Sequence, residues 1–255
     1  MRWLPLAALV LAQIGYPLVT GGTRTLLVAV TVVLGFAWSA GHALVSRGSR
    51  VAIALVAVTT GGGLLVEAVG QATGWPFGSY DYSDAFGWKL LGVPWVIPLA
   101  WTWMAWPAWL VAGALTRHLV ARIGLAALGL AAWDLFLDPQ MVAEGYWRWA
   151  SSDHAALPGV PEVPVSNYLG WLVVAAVMMA LLAGTAGSRG RAVDRHDDTP
   201  MLVLYLWTYA SCVLAHAVFL GLPASAVWGG LGMGLVAVPL AVQLSRPLVV
   251  RLARA

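Results

Sequence analysis

The sequence predicts an all-α integral membrane protein, a helical bundle that crosses the bilayer about eight times. Of its 255 residues, 60% are hydrophobic and only 10% are charged, whereas soluble domains carry about 25% charged residues. Apolar runs of about 18 or more residues recur along the chain, and such runs can span the hydrocarbon core as helices. We therefore expect a single transmembrane domain over residues 1–255.

The limits of the expected spans are set by polar, Gly and Pro residues between the apolar runs. The first run follows Arg2 and has the shape of a signal peptide, but no small-residue cleavage site follows it. Because Gln13 to Thr20 continue the run, we interpret it as the first helix. The expected spans are residues 3–20, 24–46, 51–69, 93–116, 121–137, 168–186, 201–221 and 225–244.

The basic residues support this count and predict the orientation. Cytoplasmic loops of membrane proteins carry an excess of Lys and Arg. With the N-terminus inside, only Arg24, Lys89 and Arg148 of the 14 basic residues fall outside. We expect a multi-pass protein of the cell membrane with both termini in the cytoplasm, and no nucleic-acid partner. The mixed-charge segment 187–199 is expected to be a solvated linker.

Two long connections, residues 70–92 and 139–167, are expected on the same non-cytoplasmic face. They contain most of the aromatic, acidic and turn-forming residues, and a disordered linker would not need so many aromatic rings. An aromatic belt at the lipid interface explains part of the 15 Trp, but it does not explain the Tyr80 and Tyr82 pair. We therefore expect the functional site on this face.

Three carboxyl groups are expected within the spans, close to these loops. Glu67 lies near the end of the third span, and Asp134 and Asp138 are spaced to project from one face of the fifth. Ionisable groups inside a bilayer are costly and mark functional sites. An enclosed carboxyl group can act as a general acid, because desolvation penalises its anion. In the structural alternative, Asp138 caps the helix end before Pro139, and Glu67 bonds a loop amide.

Other features favour structural roles. His42 and His216 are expected at different depths, so we interpret each as a packed, hydrogen-bonded imidazole. Gly230 and Gly234 have the GxxxG spacing of close helix packing. The sequence contains no phosphate loop, nucleophile elbow or convincing metal-binding pattern. We therefore expect neither a metal nor another cofactor.

Motifs across residues 65–175 resemble the membrane-bound carotenoid biosynthesis family, which contains the carotenoid hydratases. The motifs are EAVGQATGWPFGSYDY at 67–82, GVPWVIPLAW at 92–101, DLFLDP at 134–139, EGYWRW at 144–149 and GVPEVPVSNYLGW at 159–171. The resemblance implies a hydro-lyase that adds water to the terminal C=C bond of an acyclic carotenoid, without a cofactor. It implies as partners a lycopene-like or C50 acyclic carotenoid, water, the lipid bilayer and other carotenoid biosynthesis enzymes.

Such a reaction needs a proton donor, shelter for a tertiary carbocation and one admitted water. We expect Asp138 or Glu67 to be the donor, with Asp134 tuning its acidity or orienting the water. The side chains expected to position the water are Tyr80, Tyr82 and Asn167. The rings expected to shelter the cation through cation–π attraction are Trp75, Phe77, Trp147 and Trp171.

Two alternatives stay open from the sequence. A carotenoid or terpenoid cyclase would protonate the same alkene, and a neighbouring double bond would then capture the cation. A non-catalytic transporter or assembly partner for pigment enzymes would need no acid centre. Transporters favour midplane charges and paired interrupted spans, whereas the carboxyl groups here are expected near one face.

Overall fold

Helices form nearly all of the structure, a computed structural model that describes residues 3–150, 155–186 and 195–252. The helices are α1 Leu4–Gly15, α2 Gly21–Arg47, α3 Ser49–Val56, α4 Gly62–Thr73, α5 Val96–Leu115, α6 Leu119–Ala131, α7 Asp134–Ala143, α8 Val165–Ala186, α9 Arg195–Leu214 and α10 Pro223–Leu252. A 3-10 turn, Tyr16–Leu18, follows α1, and π-helical turns at Ala57–Gly61 and Ala215–Phe219 follow α3 and α9.

These helices join into eight apolar helical segments, because α3 continues into α4 and α6 into α7. In the described ranges, seven segments are long and apolar enough to cross a membrane: Gly21–Arg47, Ser49–Thr73, Val96–Leu115, Leu119–Ala143, Val165–Thr185, Asp197–Phe219 and Pro223–Ser245. The first segment, Leu4–Leu18, is apolar but shorter. The predicted all-helical membrane fold with about eight helices is therefore confirmed.

The fifth predicted span has different limits in the structure. It was expected to end at residue 137, but α7 continues through Pro139 to Ala143. A short break at Ala132 and Trp133 separates α6 from α7, so Asp134 begins a helix and Asp138 lies in its interior. The expectation that Asp138 stands at a helix end was therefore wrong, because the proline is accommodated within the helix.

Helix α5 is the centre of the bundle and is buried along most of its length. Trp101 and Trp106 are among the largest fully enclosed side chains. Helix α2 approaches α5 closely at Gly35, where an added Cβ would lie 2.4 Å from Cγ of Trp103. A glycine is required at this position because any side chain would overlap the indole ring.

The two long loops meet through an antiparallel pair of short strands, β1 Tyr80–Tyr82 and a strand at Trp147–Trp149. Tyr80 is opposite Trp149, and Tyr82 is opposite Trp147. This pairing places both loops at one end of the bundle, as expected. The first loop lies later in the chain than predicted, because α4 extends to Thr73 and α5 begins only at Val96. The second loop is shorter than predicted, because α7 and α8 reduce it to residues 144–164.

Two small hairpins complete the loops. In chain order, the strands are β1 Tyr80–Tyr82, β2 Lys89–Leu90, β3 Val93–Pro94, β4 Trp147–Trp149, β5 Ala156–Leu157 and β6 Val160–Pro164. Strand β2 pairs with β3, and β5 pairs with β6. Residues 151–154 of the second loop lie outside the described residues.

The expected linker 187–199, which precedes and overlaps the start of α9, is partly helical. Residues 187–194 lie outside the described part of the chain, but α9 begins at Arg195. Asp198 is buried, and its Oδ2 accepts a hydrogen bond from Arg47 at 2.7 Å. The prediction of a solvated linker was therefore wrong for this part, because the carboxylate forms a buried ion pair.

Candidate active site

A cavity of about 140 Å³ lies at the loop end of the bundle, enclosed by α1, α2, α4, α5, α7, α8 and α9. One water needs roughly 10–15 Å³ on the same measure. The cavity therefore has room for water and for part of a slender apolar molecule. Its wall is mainly apolar and aromatic, and it contains the side chains of Glu67, Asp138 and Asn167.

Glu67 is buried and surrounded by hydrogen-bond donors. Its Oε2 accepts hydrogen bonds from the hydroxyls of Tyr80 at 2.6 Å and Tyr82 at 2.9 Å. Its Oε1 accepts one from Nε1 of Trp101 at 3.2 Å. Because every partner donates, this arrangement suits Glu67 as a carboxylate acceptor.

Strand β1 explains why the two tyrosines reach one carboxyl group. Alternate residues of a strand point to the same face, so Tyr80 and Tyr82 turn inward while Asp81 is exposed. Burial, followed by the nearby charge of Glu67, raises the pKa of both tyrosine hydroxyls above the ordinary value. Both phenols therefore stay protonated at neutral pH and donate to the carboxylate.

Asp134 and Asp138 form a second carboxyl centre, which Asn167 bridges. Nδ2 of Asn167 donates to Oδ2 of Asp134 at 2.8 Å and also to Oδ2 of Asp138. Nε1 of Trp147 donates to the other Asp138 oxygen at 3.0 Å. Only Asp138 of the two aspartates lines the cavity, and Asp134 lies behind it, fully buried. Two carboxyl groups held this close favour sharing one proton, because two negative charges would repel.

Aromatic rings form the rest of the wall around these groups. The indoles of Trp101 and Trp171 stack with their centroids 3.9 Å apart and their planes 10° apart. Phe77 lies 6.5 Å from Trp171, and Trp147 meets Tyr82 edge to face at 5.6 Å. These contacts provide several ring faces beside the two carboxyl centres.

The structure brings nine of the ten predicted site residues together. Trp75 is the exception, because it is 67% exposed and lies outside the cavity. Tyr80, Tyr82 and Asn167 all bind carboxyl groups directly, and their expected role in positioning water stays a prediction.

Several residues of the cavity wall were not predicted from the sequence, and the two that matter most for its polar contacts are Trp101 and Gln140. Trp101 ends one of the motifs that carry the family resemblance, and that position was a usable signal. Gln140 follows Pro139, where the helix was expected to have ended, so its place on the wall was hidden.

The two histidines occupy separate packed positions. Nδ1 of His42 accepts a hydrogen bond from Nε1 of Trp106 at 2.9 Å, and His216 lies near the loop end beside α10. Each is hydrogen-bonded and buried, as expected. Among the described residues, no group of three or more His, Cys, Asp or Glu side chains is placed to hold a metal ion.

Comparison with known proteins supplies the family. The sequence profile of the family described as "Carotenoid biosynthesis protein" matches residues 27–243. The chain belongs to this family. The predicted family resemblance is thereby confirmed, and every predicted site residue lies inside the matched region.

The chain is similar in sequence to a protein named bisanhydrobacterioruberin hydratase, from Haloarcula japonica (strain ATCC 49778 / DSM 6131 / JCM 7785 / NBRC 101032 / NCIMB 13157 / TR-1). The two proteins are 33% identical over 186 residues, which cover 69% of this chain. The match spans only 61% of the relative's length. No solved structure matches the chain.

Proposed function

We propose that this member of the carotenoid biosynthesis family is a hydratase that adds water to the terminal C=C bond of an acyclic carotenoid end group. The observation that carries the proposal is the presence of two carboxyl centres on one aromatic cavity, at Glu67 and Asp138. The name of the relative, a hydratase, supports the reaction class. Water addition is redox-neutral, so acid catalysis by the chain's own residues is sufficient.

Asp138 is the proposed proton donor. It lines the cavity, and it shares the Asn167 amide with Asp134, which favours retention of one proton by the pair. The alkene π electrons form a new C–H bond to this proton at the less substituted carbon. The positive charge is then left on the tertiary carbon, and Asp138 becomes a carboxylate.

The tertiary cation needs shelter until water reaches it. The stacked indoles of Trp101 and Trp171 offer ring faces, and cation–π attraction is worth about 2 kcal/mol or more in a desolvated site. Phe77 and Trp147 extend this aromatic wall. The Glu67 carboxylate, held by three donors, adds a negative charge at the same cavity.

Water then forms a C–O bond to the tertiary carbon and gives a tertiary alcohol. The proton that this water loses passes to Glu67 and returns through cavity water to the Asp134–Asp138 pair. The net reaction is the addition of one water to one alkene, and the enzyme ends the cycle unchanged.

The remaining cavity wall suits an apolar substrate. Toward α1, α2 and α9 it contains Pro17, Val28, Val32, Cys212 and Ala215. A membrane-soluble polyene can lie against these side chains while its end group reaches the carboxyl centres. The lipid bilayer is therefore the proposed source of the substrate.

Expression in a host that accumulates an acyclic carotenoid, followed by mass spectrometry of the pigments, tests the proposal. We expect products heavier by one water per hydrated end group, and no such product from the Glu67→Gln, Asp138→Asn double variant. A new pigment of unchanged mass would indicate cyclisation instead. An unconverted pigment that moves faster between vesicles in the presence of the protein would indicate transport.

A further inference from the structure

A second polar network reaches the cavity wall at Gln140, apart from the two carboxyl centres. It connects α7 to the turn after α9 and to α10 through His216 and Ser225. We infer that this network orients Gln140 to bind the water that attacks the cation. The inference rests on the proposed hydratase function and names a residue that the carboxyl chemistry does not include.

The network begins at Pro139. Proline has no backbone N–H, so inside a helix it leaves the carbonyl four residues earlier without its usual partner. That carbonyl belongs to Leu135, and it accepts a hydrogen bond from the hydroxyl of Ser225 at 2.7 Å. The proline within α7 therefore creates the acceptor that fixes the serine.

The serine in turn determines the tautomer of His216. Ser225 has one hydroxyl hydrogen and donates it to Leu135, so its oxygen can only accept from Nδ1 of His216, 2.9 Å away. The ring also contacts Gln140 and Phe136, both uncharged. A buried charge without a charged partner is costly. His216 is therefore neutral, with its hydrogen on Nδ1 and a lone pair on Nε2.

The lone pair then determines the orientation of Gln140. Nε2 of His216 lies 3.0 Å from the side-chain amide of Gln140, at Oε1. The oxygen and nitrogen of an amide exchange places by a half-turn that occupies the same space. An accepting Nε2 requires the NH₂ group at that place. The carbonyl oxygen of Gln140 then turns toward the cavity that this residue lines.

Tyr16 provides an independent observation that a polar molecule belongs beside this carbonyl. Tyr16 lines the cavity, is 8% exposed and lies beside Gln140. Its hydroxyl faces the Gln140 side chain but makes no hydrogen bond of normal length and angle among the described residues, and buried polar groups are rarely left so poorly satisfied. One water can accept from Tyr16 and donate to Gln140. That water keeps a lone pair for the cation and a hydrogen for the carboxylate that acts as base.

Exchange of substrate hydrogen in D₂O separates water capture from protonation. An enzyme that protonates the alkene in D₂O delivers deuterium, and a cation that escapes capture loses a proton and returns deuterated alkene. We expect Gln140→Met and His216→Phe to lower hydration about tenfold, which is near the effect of one lost hydrogen bond. The ratio of deuterated alkene to hydrated product should rise by a similar factor. This ratio does not depend on how much enzyme is folded.

Two controls make the result specific. Gln243→Met changes a glutamine that bonds the Ala114 carbonyl far along α10, and it should leave the ratio unchanged. Asp138→Asn should lower exchange and hydration together. An unchanged ratio in Gln140→Met and His216→Phe would overturn the inference and assign both residues a structural role. Absence of both hydration and exchange in the unmodified protein would overturn the proposed function as well.

Discussion

Replacement of Asp138 by asparagine is expected to lower the hydration rate by about 10²–10⁴-fold, the contribution of a positioned general acid. The side chain keeps its size but loses the transferable proton. The contacts also change, because Trp147 and Asn167 donate to opposite oxygens of Asp138. An asparagine offers one oxygen and one NH₂ group, so one buried donor faces another. A loss of stability of about 1–3 kcal/mol accompanies the loss of rate.

The assay measures alcohol formation from an acyclic carotenoid by membranes that contain equal amounts of folded protein. The matched control is Asp84→Asn in the first loop. The Asp84 carboxyl group is exposed and forms an ion pair with Lys89 at 2.7 Å outside the cavity. The same chemical change at this position should leave the rate unaffected.

A folded Asp138→Asn variant whose rate stays within about tenfold of the unmodified protein, below the general-acid range, would exclude Asp138 as the proton donor. If Glu67→Gln then abolished the reaction, Glu67 would be the donor and the charge assignments would be exchanged. If both single variants stayed active, the cavity would not use these carboxyl groups as acids.

Three further predictions concern the walls of the site. Trp171→Leu should slow hydration about 30-fold, because about 2 kcal/mol of cation–π attraction is lost; an unchanged rate would show that the cation forms elsewhere. Gly63→Ala should destabilise the fold by about 1–3 kcal/mol, because the added Cβ would lie 2.6 Å from the ring of Trp101. At Gly41 an added Cβ meets nothing within 4 Å, so Gly41→Ala should leave the thermal unfolding temperature unchanged while Gly63→Ala lowers it. Because the pKa values of Tyr80 and Tyr82 are raised, neither phenol should be ionised at about pH 11. The Tyr80→Phe, Tyr82→Phe variant should therefore show the same tyrosinate absorbance at that pH as the unmodified protein. A smaller signal would mean that these phenols titrate normally.

The fold was largely predictable because membrane-spanning helices can be recognised in a sequence by their length and apolar composition. Where the prediction failed, it failed locally. The break before Asp134 falls at Ala132 and Trp133, which continue an apolar run and give no polar signal. Pro139 was interpreted as a helix end. In the structure the helix continues, because the Leu135 carbonyl that the proline leaves free accepts a hydrogen bond from Ser225 of α10. Tertiary contacts decided both positions, and the sequence does not display them.

The site was predictable as a set of residues at one depth, but not as a set of contacts. The sequence placed Glu67 and Asp138 under the same loops, and both line one cavity. It could not show that Tyr80 binds Glu67, because that contact depends on how the first loop folds back over α4. Trp75 is an aromatic residue of the first loop, as Phe77 and Tyr80 are. The sequence does not distinguish it from them, but in the structure its side chain is exposed.

The pairing of β1 with β4 joins the two long loops, so that a change in one loop constrains the sequence of the other. Their register places Asp81 opposite Arg148 on the outside and the flanking aromatic residues within. A shift of one residue in either strand would reverse the side chains of that strand and turn Asp81 or Arg148 toward the cavity. Grafting one loop from a relative with another substrate would therefore join strands that were never fitted to each other. Specificity in this family should transfer only when both loops move together.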